Sequence, residues 1–195
     1  DPQWQRLDLW LAGQEKGVPL ACLLSMIRQI GEALQYAHNN RIVHRGLSPL
    51  AVWVRPVPGT PHDVAVRIGD WQGAGVVPAA SGTRTVTTGI TALAPTAPSD
   101  DDNLVQAFAA PEGAWSLDAD RIRIDVFGLG ALAFYLLTGV PPASGALALK
   151  QRLHDQQGLD LAIELPQVSA RLRSLVLEAT NDAKVWTHRK LKGLY

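Results

Sequence analysis

Cysteine is almost absent from the chain, and this excludes two common ways of holding a small protein together. Cys22 is the only cysteine among 195 residues, so neither an internal disulfide framework nor a cysteine-based zinc site can form. A charge excess is absent as well, because 18 Lys and Arg residues balance 18 Asp and Glu residues. A neutral chain is not built to attract nucleic acid or an anionic membrane through its net charge. The sequence therefore predicts no nucleic-acid partner and no membrane partner.

Long uncharged apolar segments are also missing. The most apolar run, near 124–137, is interrupted by Asp125 and by glycines, so it predicts no membrane span, and no signal peptide is recognisable. We therefore expect a cytoplasmic protein. Hydrophobic residues nevertheless make up 47% of the chain, which is enough to bury a core and excludes a chain that is disordered overall.

Two segments carry strong helical patterns. Apolar residues recur at spacings of three and four residues from Leu23 to Ala37, which predicts an amphipathic helix over 19–40. Residues 124–138 are almost all apolar and are followed by Gly139, which predicts a buried helix. Weaker patterns predict further helices and a small hairpin-like sheet beside the long helix. These helices are expected at 4–12, 145–156 and 167–180, and the strands at 41–44, 52–54 and 64–68.

The stretch 78–103 differs from the rest in composition. It is rich in Ala, Thr, Pro, Ser and Gly, shows no period, and ends in the acidic run 100–102. We expect a long loop here, with the acidic run solvated. His38 is expected to make a contact at the end of the long helix, and Arg121 and Arg123 are expected to be surface charges. No pattern is visible in 183–195.

Four short strings in a fixed order carry the functional argument. They are HRGLSPLA at 44–51, IGDWQ at 68–72, APE at 110–112 and DVFGLG at 125–130. In this order they resemble the catalytic loop, the D-F-G motif, the A-P-E motif and the buried helix of the eukaryotic-type Ser/Thr protein kinases. The resemblance covers roughly residues 5–180.

The resemblance implies a kinase-like fold of which the whole chain, 1–195, forms the C-terminal lobe. Such a lobe is an α+β fold that is mainly α, with a small sheet at the cleft, and 73–109 would be its activation segment. The N-terminal lobe would be absent, and the start at Asp1 rather than Met suggests a piece of a longer gene product. The N-terminal lobe of that longer protein and other proteins are then the expected partners.

The catalytic loop departs from the family at the positions that carry the chemistry. Gly46 stands where the family has its catalytic Asp, Ser48 where it has a Lys, and Ala51 where it has a magnesium-binding Asn. Of the catalytic positions, only His44 and Arg45 of the loop keep the family's residues. Asp70, which matches the D-F-G aspartate, still offers a carboxylate for Mg²⁺.

These losses favour a pseudokinase that acts as a regulatory or protein-binding module. Loss of a positioned general base costs about 10²–10⁴ in rate, so the change at Gly46 need not abolish activity by itself. Loss of the Lys and the Asn weakens charge neutralisation as well. The alternative is an active, atypical Ser/Thr kinase that uses Asp70 and groups outside this chain. ATP and Mg²⁺ are then expected in the longer protein but not in this segment alone.

Several other residues acquire roles only through the resemblance. Asp125 would bond the backbone near His44 and Arg45, and Glu112 would pair with an Arg near the C-terminus. Arg45 would pair with a phosphate on the activation segment, whose hydroxyls lie within 81–99; the alternative is an unmodified, disordered loop. Trp53 would fall beneath the adenine ring, where an indole either stacks on adenine or fills its space; the alternative is a core Trp that points away from the cleft. Trp71 would pack in the core below the small sheet.

A narrower resemblance concerns the exact residues of the first two motifs. HRGLSP followed by GDWQ is similar to the degenerate kinase domain of the large PglW-type kinases of bacterial BREX phage-defence systems. This implies a bacterial source and a role in phage defence.

Overall fold

The structure is a computed structural model that describes residues 3–60, 63–76, 99–111 and 121–181. Within these ranges the chain is mainly helical, with short antiparallel strands near its N-terminal half. In chain order the elements are β1 (Gln5–Arg6), α1 (Leu7–Ala12), α2 (Leu20–Asn39), β2 (Ile42–Val43), β3 (Val52–Pro56), β4 (Val64–Ile68), a 3-10 turn (Trp71–Gly73), β5 (Gly75–Val76), α3 (Asp100–Ala107), α4 (Arg121–Thr138), α5 (Ala146–Gln156), α6 (Leu161–Glu164) and α7 (Ala170–Thr180).

The strands form two small antiparallel sheets. One has the order β1-β3-β4, and its β3–β4 hairpin pairs Val52 with Ile68 and Pro56 with Val64. The other joins β2 to β5. On β3, Val52 and Val54 are fully buried against the core, while the residues between them face the other way, as the period of a strand requires. The predicted α+β class, mainly α with a small sheet, is confirmed.

The two strongest helix predictions are also confirmed. The segment predicted at 19–40 is α2, and the buried segment predicted at 124–138 is α4, which begins three residues earlier at Arg121. Helix α4 ends at Gly139, which has φ of +73° and donates its N–H to Tyr135 O at 2.8 Å. Helices α5 and α7 correspond to the weaker patterns at 145–156 and 167–180.

The prediction that residues 99–103 belong to a loop was wrong. They open α3, where Ser99 Oγ accepts a hydrogen bond from Asp102 N–H at 3.1 Å and the Asp102 carboxylate accepts one from Ser99 N–H at 3.0 Å. This reciprocal capping box satisfies donors that a helix start otherwise leaves free. The acidic run 100–102 also complements the positive end of the helix dipole. The rest of the predicted loop, 78–98, lies outside the described residues.

The core forms where α2 crosses α4 and where α4 packs on α7. A Cβ added to Gly31 of α2 would lie 3.6 Å from Leu129 of α4, so the two helices approach closely there. At Gly130 the packing is tighter, because an added Cβ would lie 2.7 Å from Ala179 Cβ and 2.8 Å from Thr180 Cγ2. Helix α4 is thus enclosed on several sides, which explains why its sequence is apolar nearly all round.

A side-chain amide joins α2 to the hairpin. Gln29 Nε2 donates to Val64 O at 2.9 Å, and Gln29 Oε1 accepts from Val66 N–H at 3.0 Å. The amide therefore pairs with the backbone at the outer edge of β4 as a short strand would. Within the described ranges no helix is both long enough and apolar enough to cross a membrane.

Candidate functional site

Asp125 on α4 fixes the backbone of the loop that follows β2. Its side chain is fully buried, with an exposure of 0%. One carboxylate oxygen accepts the N–H of His44 at 2.8 Å, and the other accepts the N–H of Arg45 at 2.6 Å. A buried carboxylate needs such donors to offset the loss of water. These are the two backbone hydrogen bonds that the kinase resemblance implies.

His38 belongs to the same network, which sequence reasoning missed. Its Nε2 lies 2.8 Å from Asp125 Oδ2, so a side chain at the end of α2 donates to the buried carboxylate. The two residues are 87 positions apart, and no local pattern signals such a contact. The expected helix-end contact of His38 is therefore corrected to a direct contact with the site.

His44 ties the loop to the segment before Asp70. Its Nδ1 lies 3.3 Å from Gly46 N, which can only donate, so Nδ1 is the acceptor and the proton sits on Nε2. Nε2 then donates to Gly69 O at 2.7 Å. The ring also meets Trp71 edge to face at 4.7 Å. The packed, backbone-organising role expected of His44 agrees with these contacts.

Trp71 does not lie in the core as expected. It is only partly buried, and its Nε1 donates to Ile68 O at 2.9 Å. The hydrogen bond holds the indole at the rim of the 3-10 turn, because the polar edge of the ring needs an acceptor. The ring therefore braces His44 from the side.

Arg45 adopts a left-handed backbone conformation with φ of +70° and has an exposed side chain. A Cβ added to Gly75 would lie 3.4 Å from Arg45 Nη1 and 3.8 Å from Arg121 Nη1. Two guanidinium groups therefore converge beside β5, and Arg121 is not the isolated surface charge that we expected. The resemblance implies that Arg45 pairs here with a phosphate on the activation segment. Residues 81–98 of that segment lie outside the described residues.

The three altered positions lie on the same loop as His44 and Arg45. Gly46 is exposed, and a Cβ built on it would meet no atom within 4 Å. Ser48 and Ala51 are both buried, each with an exposure of 2%. None of the three offers a carboxylate, an ammonium or an amide group. The loop therefore has room for a side chain at Gly46 but no general base there.

Asp70 lies next to this loop. Gly69 N–H donates to Ala51 O at 2.7 Å, which brings the start of the D-F-G-like segment against the end of the catalytic-loop segment. Asp70 has φ of +54° and an exposed side chain. A non-glycine residue in this region of backbone space is uncommon, and such strain often accompanies a functional site.

The donor set fits a kinase magnesium site only in part. Asp70 supplies one carboxylate, but Ala51 cannot supply the second protein ligand. Among the described residues no group of three or more His, Cys, Asp or Glu side chains could hold a metal ion. The residues therefore do not fit the two-metal arrangement of the active family members.

Trp53 lies over Gly69. A Cβ on Gly69 would be 3.0 Å from Trp53 Nε1 and 3.3 Å from Cδ1, so a larger residue there would require the indole to shift. Trp53 faces away from the buried side of β3 and is partly exposed. The reading of Trp53 as a core residue pointing away from the cleft does not agree with this position.

Two further expectations concern the start of α4 and the residues before it. Arg123 was expected at the surface, but it is 92% buried, with an exposure of 8%, and its Nη2 donates to Asn181 O at 3.2 Å. The guanidinium thus lies between α4 and the residue after α7. Glu112 lies outside the described residues, so its expected pairing stays a prediction. Residues 183–195 also lie outside the described residues.

The comparisons with known proteins point in one direction. No protein-family model matches the chain. The chain is 32% identical over 194 residues to the probable kinase PglW of Streptomyces coelicolor, covering 92% of this chain and 12% of PglW. It is 31% identical over 140 residues to the Ser/Thr-protein kinase PknF of Mycobacterium tuberculosis, covering 70% of this chain and 26% of PknF.

The chain thus spans only about an eighth to a quarter of the relatives that it matches. In active members of the kinase family, ATP and Mg²⁺ are the expected substrate and metal. The order of the motifs, the contacts of Asp125 and the two alignments agree with one another. By this distant homology the chain belongs to the protein kinase family.

Proposed function

We propose that the chain is a catalytically impaired kinase-family module, a pseudokinase, that acts by binding other proteins. The observation that carries this proposal is the geometry at Gly46. The loop backbone is held by Asp125, yet the position that would present the base has no side chain, and no atom of the described residues occupies the space. A missing base corresponds to about 10²–10⁴ in rate.

The neighbouring positions support the same proposal. Phosphoryl transfer depends on positioning and on neutralising the charge of the phosphates. Ser48 supplies no cation and Ala51 supplies no metal ligand, and both are buried. Asp70 alone is then left to bind a magnesium ion, so the charge of the transferred group would be poorly balanced.

The position of Trp53 supports an occluded nucleotide site. By resemblance, Trp53 and Gly69 lie at the floor of the adenine pocket. The indole covers Gly69 at contact distance. It therefore takes up space at the floor of the pocket, and we propose that it excludes adenine rather than stacking on it.

Phosphotransfer from labelled ATP tests the proposal in the gene product that carries this chain. We expect no incorporation of phosphate into protein hydroxyls above background, and no change in Asp70→Ala. The matched variant Gly46→Asp restores the missing carboxylate where the space is open. Incorporation by the wild type that disappears in Asp70→Ala would show that the pseudokinase proposal is wrong.

Nucleotide binding tests the occlusion separately. A fluorescent ATP analogue should bind the wild type with a Kd above about 1 mM and should bind Trp53→Leu more tightly. Trp71→Phe, which introduces the family's own residue beside the site, serves as the control and should bind as weakly as the wild type. Micromolar binding by the wild type would contradict occlusion.

A second candidate function is an active, atypical Ser/Thr kinase. Asp70 favours it, because this carboxylate is exposed, lies beside the loop and keeps a left-handed backbone conformation. The N-terminal kinase lobe and further groups would then have to come from outside this chain. Loss of phosphotransfer in Asp70→Ala distinguishes this candidate from the pseudokinase.

The biological setting is proposed from the likeness to PglW alone. PglW-type kinases belong to bacterial phage-defence systems, and we propose that this chain serves in such a system. A bacterial, cytoplasmic setting and an N-terminal lobe as its neighbour are part of this proposal. Loss of phage resistance on deletion of the gene would support it, and unchanged resistance would contradict it.

A further inference from the structure

The outer face of the three-stranded sheet carries an unusual set of side chains. Trp53 and Arg55 alternate with the buried Val52 and Val54 along β3, so they project away from the core. Arg67 of β4 pairs directly with Trp53 in the register of the hairpin. Trp4, just before β1, completes the set. We call Trp4, Trp53, Arg55 and Arg67 the Trp–Arg face.

The members of this face hold one another in place. The guanidinium carbon of Arg67 lies 4.5 Å from the centre of the Trp4 ring and 5.7 Å from that of Trp53. The guanidinium carbon of Arg55 lies 5.0 Å from the centre of Trp4. Cation–π contacts of this kind fix the planes of the guanidinium groups before any partner arrives. Less side-chain entropy is then lost on binding.

The two arginines of this face lack acidic partners among the described residues. Arg28, Arg152 and Arg173 form ion pairs with Glu32, Glu164 and Asp160. Nothing comparable is present for Arg55 or Arg67 in the described ranges, and Arg55 Nε is buried without a hydrogen-bond acceptor there. The Trp–Arg face therefore presents two guanidinium groups whose charge no carboxylate of the described residues balances.

Carboxylates match these donors best. A guanidinium group offers a planar fork that binds a carboxylate through two parallel hydrogen bonds. Trp and Arg are also the residues that dominate the binding energy of protein interfaces. Because both arginines approach the same indole, acidic side chains two positions apart on one extended strand, about 7 Å, can reach both.

We propose that the Trp–Arg face is a docking surface for an extended acidic segment of a partner protein. The proposal rests on the proposed protein-binding function and names the chemistry of the partner. The carboxylates of that segment bind Arg55 and Arg67, while Trp4 and Trp53 form the floor on which it lies. Ion pairs so placed steer the partner into register as well as binding it.

Fluorescence anisotropy with a short labelled peptide of repeating Glu-Thr tests the surface. The wild-type protein should bind it, and the affinity should fall as salt is raised because the charges are near the surface. Arg55→Gln and Arg67→Gln should each weaken binding about three- to tenfold. Arg171→Gln, at an exposed arginine of α7, is the matched control and should leave the affinity unchanged.

Two further comparisons make the result decisive. Arg67→Lys keeps the charge but loses the fork, so its affinity should lie between those of the wild type and Arg67→Gln. A peptide of repeating Gln-Thr should not bind. Unfolding midpoints measured on every variant show whether a weaker affinity reflects a loss of folding. Only variants with an unchanged midpoint are used to judge the proposal.

Three outcomes of the peptide titrations would overturn the proposal. They are no binding of the Glu-Thr peptide, equal binding of the Gln-Thr peptide, and unchanged affinity in both arginine variants. A single-stranded oligonucleotide of the same charge as the Glu-Thr peptide is a further test. If it binds more tightly than the peptide, the face is assigned to nucleic acid and the proposal is overturned as well. None of these outcomes bears on phosphotransfer, so a failure of the docking surface is distinguishable from a failure of the proposed function.

Discussion

The loop at 44–51 has two parts that differ in what they retain. The first part, His44 and Arg45, is held by two hydrogen bonds to a fully buried carboxylate and by the contact of His44 with Gly69. The second part, from Gly46 to Ala51, has no carboxylate, ammonium or amide side chain at its three altered positions. Backbone organisation and chemistry are therefore separable within eight residues of one loop.

The comparison indicates what a fold of this kind needs for its own stability. Asp125 must be satisfied because it is buried, and its partners are backbone groups of the loop. A Cβ at position 46 would meet no atom within 4 Å, so the packing around the loop does not depend on a side chain there. The residues that hold the loop backbone therefore differ from the positions to which the kinase resemblance assigns the chemistry of phosphotransfer. A change at those positions need not destabilise the fold.

The largest effect on the free energy of unfolding is expected for Asp125→Ala. The variant leaves the N–H groups of His44 and Arg45 and the His38 side chain without their common acceptor. We expect a loss of about 3–5 kcal/mol in the free energy of unfolding, measured by denaturant titration. Asp155→Ala, at an exposed aspartate, should change it by less than about 0.5 kcal/mol. A loss below about 1 kcal/mol for Asp125→Ala would mean that the loop is held in some other way.

The contribution of His38 is the next largest. His38→Ala removes one of the donors to the Asp125 carboxylate and should cost about 2 kcal/mol. His38→Gln keeps a donor of similar reach and should recover part of the loss. His154→Ala, at an exposed histidine of α5, is the control. Equal stabilities of the three variants in thermal and denaturant unfolding would contradict a role for His38.

Two glycines near the loop differ in the space that a side chain would find. A Cβ on Gly128 of α4 would lie 3.0 Å from Leu47 Cβ and 3.2 Å from Leu47 O, whereas one on Gly46 would meet nothing within 4 Å. Gly128→Ala should therefore destabilise by about 1–2 kcal/mol through overpacking. Gly46→Ala should change stability by less than about 0.5 kcal/mol. Similar losses in both variants would mean that position 46 is packed as tightly as the contact between α4 and Leu47.

The smallest expected effect is a pH-dependent one outside the loop. Two hydrogen bonds from Arg173 lower the pKa of Asp160 below its ordinary value. A lowered folded-state pKa gives stability that is complete above the unfolded-state pKa, about 3.9, and is lost as the pH falls through the folded-state value. Asp160→Asn should thus cost about 0.2–1 kcal/mol at neutral pH.

Unfolding of the wild type and Asp160→Asn at a series of pH values provides the measurement. The difference between the two proteins should shrink towards zero as the solution becomes acidic. A difference that grows on acidification would contradict the assignment. This exposed pair calibrates how much less a surface carboxylate contributes than the buried Asp125.

The sequence was sufficient for the parts of the fold that depend on local periodicity. The spacing of apolar residues predicted α2, and the continuous apolar run predicted α4, because burial against a core imposes these patterns directly. The order of the four motifs likewise located the loop, Asp70 and Asp125. Which backbone groups Asp125 would contact came from the family resemblance, not from spacing.

The missed features depend on contacts that the sequence does not display. His38 and Asp125 are 87 residues apart, so only the crossing of α2 and α4 brings them together. Arg123 was expected to be a surface charge near the start of the buried helix, yet the packing of α4 on α7 buries it. The start of α3 was different, since Ser99 and Asp102 have the spacing of a capping box and could have been recognised.

The amide of Gln29 has a consequence for the behaviour of the protein in crowded solution. An unpaired strand edge invites the edge of another molecule to add to it, which is a common first step towards aggregation. By bonding Val64 O and Val66 N–H, Gln29 occupies two of the backbone groups that such an intruder would use. One side chain of α2 thus does for the hairpin what a protective extra strand does in larger sheets.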